Sequence, residues 1–466
     1  MLQPLFITGA AGSGKTRRLM ERAKVLGRVL VTTQHQRALA IAVMHGARRR
    51  LQDTLSEYCP DLPVSVSTIH SFALTIVNRW RRSIGLSLPV TVCEESCGLA
   101  EKHWRTQATF EEVVDLACTV IQSPTVARTL AATYPLIIVD EFQDCAAGTL
   151  RLVEALAKTS PVLLAADHFQ KLGDVAGGCP AVDWATNLKA EGSLSHEELT
   201  ECHRTVDDGI LRAARALRDN IQAPNITVPM YCAPSFGPAA MRMVGRFLPW
   251  KADKVTTGTC ALIVLSLGDP LLSKLLTSFN NQLARRNPTR KIAWSAALPE
   301  SEQRKQLFAE LGMNVKHDLW NPNIVGSSQL ATAVSRDIKR FAKLRGMASI
   351  PQELARHLAQ LAVHNARAFG RNSTRFQVLT AHGAKNREFD HVFVFWGFKA
   401  DKWTSEEQRR LLYNAITRAK RDCTVLILGS EKRVTQSPVL SLLGPAQAAI
   451  DATWRKGRRK RPSTAR

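Results

Sequence analysis

The octet Gly9-Ala10-Ala11-Gly12-Ser13-Gly14-Lys15-Thr16 constrains this chain more than any other stretch of it. It follows an apolar run at 2–8 that reads as a buried strand, and it opens a helix-periodic stretch at 16–25. Glycines at these spacings let backbone N–H groups curl around phosphate oxygens, and the helix N-terminus adds positive potential. Gly9, Ala10, Ala11, Gly12, Ser13 and Gly14 are therefore expected to cradle the phosphates of a nucleotide. Lys15 then reaches the β/γ-phosphates, and the Thr16 hydroxyl serves as a ligand of Mg²⁺.

A second motif, Leu136-Ile-Ile-Val-Asp140-Glu141-Phe142-Gln143-Asp144, ends a β-branched apolar run in paired carboxylates. In α/β sheets ligands bind at the carboxyl ends of strands, where these two acids fall. Asp140 is expected to hold Mg²⁺ and Glu141 to polarise the attacking water. Together the two motifs indicate NTP hydrolysis. Further apolar runs at 28–33, 162–165, 260–265, 376–379, 391–395 and 424–428 read as buried strands. Helix-period stretches at 148–158, 206–219 and 405–419 lie between several of them, so parallel α/β sheets are expected. Gly/Ser/Thr-rich breaks fall at 192–195 and 256–258, and 303–368 reads as a helical, basic insertion.

Charge adds a partner class. Lys and Arg number 63 against 40 Asp and Glu, a net +23 that suggests a polyanion, most simply nucleic acid. The stretch 454–466 holds seven of those cations and no acid, and the basic tail 451–466 is expected to be disordered. Without 454–466 the rest of the chain still carries +16, so the tail alone does not make the protein basic. No apolar run is long enough to span a membrane, and the N-terminus lacks the charged start of a signal peptide, so a cytoplasmic location is expected. The ten cysteines form no C-x-x-C pair and are expected to be reduced thiols.

The order of motifs resembles that of superfamily 1 helicases of the UvrD/Rep/PcrA kind. Asp140-Glu-Phe-Gln-Asp144 is that family's Walker B form, and 406–420, which includes Arg410, Tyr413, Thr417 and Arg418, is similar to its motif VI. Ser67-Thr-Ile-His70-Ser71-Phe72 resembles motif Ib, Glu201-Cys-His203-Arg204-Thr205 motif IV, and 378–389 motif V. The resemblance implies an α/β fold of two RecA-like P-loop domains with parallel sheets and small helical insertions. It places domain 1A at 1–190 with a reduced 1B insertion near 75–130, and domain 2A at 191–450 with a 2B-like insertion near 300–370. It also implies roles: Gln170, Arg204 and Arg418 at the γ-phosphate, Glu388 near the ribose and His203 stacked on the base. His70, Ser71, Thr380 and His382 match strand-contacting positions.

The implied activity is an ATP-dependent, Mg²⁺-requiring DNA helicase or translocase of 3′→5′ polarity, stimulated by single-stranded or tailed duplex DNA. The chain also departs from the pattern. Only eight residues precede Gly9, so Gln3 stands too close to act as the family's adenine-reading glutamine. Thr32-Thr33-Gln34-His35 replaces a base-stacking Phe, and Lys171-Leu-Gly-Asp follows Gln170 where aromatics are usual. With two stacking platforms absent, grip on a strand is expected to lean on charge. Compact chains of this family also occur as helicase-like subunits of two-gene anti-phage systems such as Gabija, beside an OLD-type nuclease. The alternative reading is accordingly a DNA-dependent ATPase switch or accessory subunit of a nuclease that does not unwind processively.

Overall fold

The computed structural model describes residues 3–448 except 44, 94–99, 103–104, 174–177, 226, 248–257, 290–291, 297–299, 316, 322, 325, 345, 357 and 361–374. The basic stretch 454–466 lies outside the described residues. Two sheets organise the chain, and every strand pair in both is parallel. The first contains β1 (Leu5–Gly9), β2 (Ala38–Ala42), β3 (Val64–Thr68), β7 (Leu136–Asp140), β8 (Val162–Ala166) and β9 (Ser195–Leu199), in the order β3-β2-β7-β8-β1-β9. The second contains β10 (Met230–Ala233), β11 (Cys260–Val264), β12 (Ser295–Ala296), β15 (Phe376–Thr380), β16 (Phe389–Trp396), β17 (Ala419–Leu428) and β18 (Gln447–Ala448), in the order β12-β15-β11-β16-β17-β10-β18.

Parallel sheets bury both faces, which is why their strands read as continuous apolar runs. Alternate residues of β7 show it: Leu136 and Ile138 pack with the helix Lys15–Leu30, whereas Ile137 and Val139 pack with Ile69–Trp80 and Ala147–Ala157. The second sheet divides the same way, with Val392 and Val394 on one face and Phe393 and Phe395 on the other.

The two insertions differ in kind. Within 75–130 a small sheet forms from β4 (Val90–Val92), β5 (Ala100–Lys102) and β6 (Arg105–Ala108). The helix Phe110–Ile121 that follows buries Val113, Val114, Ala117 and Val120 in the same core as the first sheet. That segment is therefore a graft on the first sheet. Between β12 and β15, by contrast, Leu307, Leu311, Trp320, Val334 and Ile338 close a core of their own around the antiparallel pair β13 (Leu319–Trp320) and β14 (Ile350–Pro351). Residues 361–370 of the expected 2B-like insertion lie outside the described residues.

Three expectations are corrected. Residues 28–30 close the helix Lys15–Leu30, and the strand expected at 28–33 is instead Ala38–Ala42. The break at 192–195 does not end the first sheet, because β9 pairs with β1 beyond it. A boundary at 190 is thus too early by one strand. Gln3 is committed to that same junction: its side-chain amide donates to Gly192 O at 3.0 Å and its carbonyl accepts from Ser195 Oγ at 3.2 Å.

Candidate active site

The glycine loop turns sharply between β1 and its helix. Gly12 and Gly14 hold φ of 80° and 83°, a region side chains avoid, and a Cβ at Gly12 would lie 2.7 Å from Arg204 Cβ. Lys15 is buried, and its ammonium donates to Gly9 O at 3.0 Å and Ala10 O at 2.9 Å. Burial pushes its pKa down, against the pull of Asp167, Glu141 and Asp140. The Ser13 hydroxyl is buried without a hydrogen-bond partner, as a group built to meet a phosphate oxygen would be.

The carboxylates of β7 point at this loop. Thr16 Oγ1 donates to Asp140 Oδ2 at 2.9 Å, so the hydroxyl and carboxylate that could share a divalent cation already face each other. Burial first, and then Glu141, push Asp140 up to about pKa 6, a cost that a cation would relieve. Glu141 takes a left-handed backbone, φ 54°, and accepts from Gln143 Nε2 at 2.6 Å. Burial would raise Glu141, but Lys385 and Lys15 hold it below its usual value and ionised.

This environment gives a stability test. Asp140 binds a proton more tightly in the folded protein than its ordinary value of 3.8 allows, so wild-type stability falls as pH rises from about 4 to 6 and stays reduced above that. Asp140→Asn should therefore raise nucleotide-free stability at pH 7.5 by about 1–2 kcal/mol, with the gain vanishing near pH 4. Thermal melts of both proteins across that range would expose a gain that does not depend on pH, which would contradict the assignment.

The turn 167–170 that follows β8 is a hub of buried hydrogen bonds. Asp167 N donates to Gln143 Oε1 at 3.0 Å, and the Asp167 carboxylate accepts from Gln170 Nε2, Arg218 Nη1 and Tyr413 Oη at 2.9, 3.2 and 3.1 Å. Burial would raise Asp167, but Lys15 and Arg218 hold it below the usual carboxylate range.

The second sheet's residues close over the first. Arg418 is 1% exposed, and its guanidinium donates to Gln170 Oε1 at 2.9 Å and Asn414 O at 3.0 Å. Burial, then Arg204, push its pKa down to about 9, which leaves it charged at neutral pH. Arg204 donates to Glu388 Oε1 at 3.0 Å and Thr417 O at 2.9 Å. Burial would raise Glu388, but Arg204, Arg50 and Lys420 hold it low. His203 donates its backbone N–H to Gly12 O at 2.8 Å, and its ring carbon Cδ2 lies 3.4 Å from where a Cβ on Gly14 would stand.

The sequence reading overlooked Lys385, whose ammonium meets both oxygens of Asp144 at 2.5 and 2.6 Å across the two sheets. Both side chains are nearly closed to solvent, and burial pushes Asp144 up to about 6 despite Lys385. Removing one partner strands a buried charge, so Lys385→Ala should cost about 3–5 kcal/mol. Lys385→Met combined with Asp144→Asn should recover most of it in a thermal melt; a melt insensitive to Lys385→Ala would show that the pair holds nothing together. Gln143, Asp167, Asn414 and Tyr413 were also missed as site residues, although Gln143 lies in the Walker B stretch and Tyr413 and Asn414 lie in 406–420.

The four expected strand contacts form two pairs. His70 and Ser71 follow β3 at the carboxyl edge of the first sheet, where the His70 ring meets Phe110 edge-on at 5.0 Å and Ser71 Oγ accepts from Thr68. Thr380 and His382 stand at the carboxyl end of β15, Thr380 accepting from Gly383 N and His382 exposed.

Two doubly covered parallel sheets that meet over one glycine loop, with carboxylates on one side and arginines on the other, define a tandem RecA-like nucleotide hydrolase. Comparison with family models matches residues 2–174 to an AAA domain and 376–426 to a UvrD-like helicase C-terminal domain. Among solved structures, the Pif1 helicase from Candida albicans matches over 98% of this chain and 96% of its own, at 14% identity and a TM-score of 0.42. A comparison with curated proteins returned no match. With the AAA-domain match and the UvrD-like C-terminal match on its two sheets, the chain is an ATP-hydrolysing enzyme similar to UvrD-like helicases. Among the described residues no helix is long and apolar enough to cross a membrane.

Proposed function

We propose that this chain couples Mg²⁺-dependent ATP hydrolysis to 3′→5′ movement along single-stranded DNA and opens tailed duplexes, in DNA repair, recombination or phage defence. The observation that carries the reading is the convergence of Glu141, Gln170 and Arg418 on one loop from two different sheets, with Arg418 and Gln170 in direct contact. Lys15 and the amides of the loop hold the phosphates, and Thr16 and Asp140 hold Mg²⁺. Bound there, Mg²⁺ supplies charge neutralisation at the phosphate oxygens. Glu141, oriented by Gln143, aligns the attacking water and takes its proton as the oxygen bonds to the γ-phosphorus and ADP departs. Gln170, Arg204 and Arg418 face the transferring phosphoryl group, His203 stacks on the base, and Glu388 reaches the ribose while it holds Arg204.

A loose transition state spreads charge over equatorial oxygens, which suits planar, always-charged guanidinium groups. Because Arg418 arrives from the second sheet and Arg204 from the segment that links the two sheets, hydrolysis and closure of the cleft are one event. A strand lying over His70 and Ser71 on one edge and Thr380 and His382 on the other is then pulled as the edges change spacing. The +23 charge supports a phosphate-backbone partner.

A second reading, an ATPase switch or accessory subunit beside a nuclease, is favoured by Gln34 and His35, exposed polar side chains where a stacking aromatic is expected. Strand displacement on 3′- and 5′-tailed duplexes with ATP separates the two. Displacement of the 3′-tailed substrate alone supports the helicase; ATP turnover without displacement of either supports the switch.

A further inference from the structure

The helix Ser405–Ile416 grips the turn 167–170 at several points: Arg410 Nη1 donates to His168 O at 2.6 Å, Asn414 Nδ2 to Gln170 O at 3.4 Å, and Arg418, just past the helix, to Gln170 Oε1 at 2.9 Å. The guanidinium groups of Arg409 and Arg410 also stand over the Phe169 ring, at 5.3 and 5.2 Å from its centroid. Tyr413 differs from all of these. Its ring is fully buried edge-on against Phe169 at 5.0 Å, its hydroxyl donates to Asp167 Oδ2 at 3.1 Å, and the same oxygen accepts from Ala11 N of the phosphate loop at 2.8 Å. One atom thus joins the loop that holds the nucleotide, the turn that carries Gln170 and the helix that leads into Arg418.

Several features mark the phenol as more than core filling. A phenylalanine would pack the same space against Phe169, so the hydroxyl is the part that needs a reason. It is matched on both sides, by a donor on one element and a carboxylate on another, and that carboxylate is already served by Gln170 and Arg218. Buried networks with every member satisfied fix one geometry, and loss of one member lets its neighbours drift by fractions of an ångström. An arginine aimed at a transition state loses most of its effect on such a displacement.

We propose that Tyr413 is a positioning residue: its hydroxyl sets the register between the phosphate loop and the helix Ser405–Ile416, and so places Arg418 and Gln170 for hydrolysis. The proposal rests on the ATPase reading of this site. Tyr413 touches no phosphate position directly; it acts through the groups it spaces. Because Lys15 and the loop amides from Gly12 onward remain to hold the phosphates when the bond to Ala11 N is lost, nucleotide affinity is largely independent of the phenol.

The test is steady-state ATP hydrolysis by the full-length chain with saturating single-stranded oligonucleotide. Tyr413→Phe should lower kcat at least tenfold and leave KM for ATP within about twofold, with its melting temperature within a few degrees of wild type. The second comparison uses Gln170→Ala as background. If the phenol works by placing Gln170 and Arg418 together, adding Tyr413→Phe to Gln170→Ala costs less than a further threefold. Full additivity of the two losses, or a Tyr413→Phe enzyme with wild-type kcat, overturns the proposal. A wild-type protein with no ATP turnover overturns the underlying reading instead, and that result is seen before any variant is made.

Discussion

Arg418→Ala should lower DNA-stimulated ATP turnover by roughly 10³-fold or more, with ATP binding within a few-fold of wild type. The reason lies in where the guanidinium comes from. It is carried by the second sheet's domain, just after the helix Ser405–Ile416, yet it is fully buried against Gln170 of the first. Its own hydrogen bonds run to Gln170, Asn414 and Thr417, so ground-state binding through Lys15 and the loop should survive its loss. The transition state is different: charge spreading over the phosphoryl oxygens in a water-excluded cleft has no substitute for a fixed guanidinium. Arg418→Lys separates chemistry from packing. A lysine fills part of the space and keeps the charge but lacks the planar fork that serves Asn414 O and Gln170 together, so its turnover should also fall at least tenfold. Turnover of Arg418→Ala near wild type, measured alongside retained binding of a fluorescent ATP analogue, would show that the arginine is structural.

Glu141→Gln should reduce turnover by about 10²–10⁴-fold and leave the protein able to bind ATP and DNA together. The substitution is nearly isosteric and still offers a carbonyl oxygen to Gln143 Nε2, so the left-handed turn at 141 is kept. What is lost is the ability to take a proton from the attacking water. Lys385 and Lys15 hold Glu141 ionised, so in wild type the base is ready across the neutral range. Removing that charge also eases the crowding of two buried carboxylates, which lowers the pKa of Asp140. The variant should therefore hold Mg²⁺-ATP at least as tightly as wild type, which equilibrium binding at neutral pH would check; a large loss of ATP affinity would mean that Glu141 supports the site rather than the chemistry.

The parts of this site that were legible in the sequence share a physical cause. Gly12, Gly14 and Lys15 carry constraints that no other residue type meets, and a β-branched run ending in Asp140-Glu141 announces a buried strand with its acids at the ligand edge. Strand assignment failed where composition misleads. The run 28–33 is rich in Val and Leu, yet 28–30 belong to a helix with Val25 and Val29 exposed along it. The strand that follows, Ala38–Ala42, is fully buried but mostly alanine, a residue with little strand preference, and only tertiary packing between β3 and β7 makes it one. Strand β9, Ser-His-Glu-Glu-Leu, is polar because it lies at the sheet's edge, so the first sheet seemed to end before it.

The overlooked site residues have a different explanation. Lys385 and Asp144 are 241 positions apart, and nothing local marks either as half of a buried pair. Tyr413 is visible in the motif VI stretch, but its contacts with Ala11 and Asp167 exist only because two sheets close on each other. Roles that depend on spacing across a cleft are not written in either half of the chain.

The most direct measurement is the rate of ATP hydrolysis by the purified wild-type chain, with Mg²⁺, in the absence and presence of single-stranded DNA. A rate that rises at least tenfold with the strand, and that is lost in Lys15→Ala, is what a two-domain motor with this site should give. Hydrolysis that is absent, or that proceeds equally with and without DNA, would contradict it.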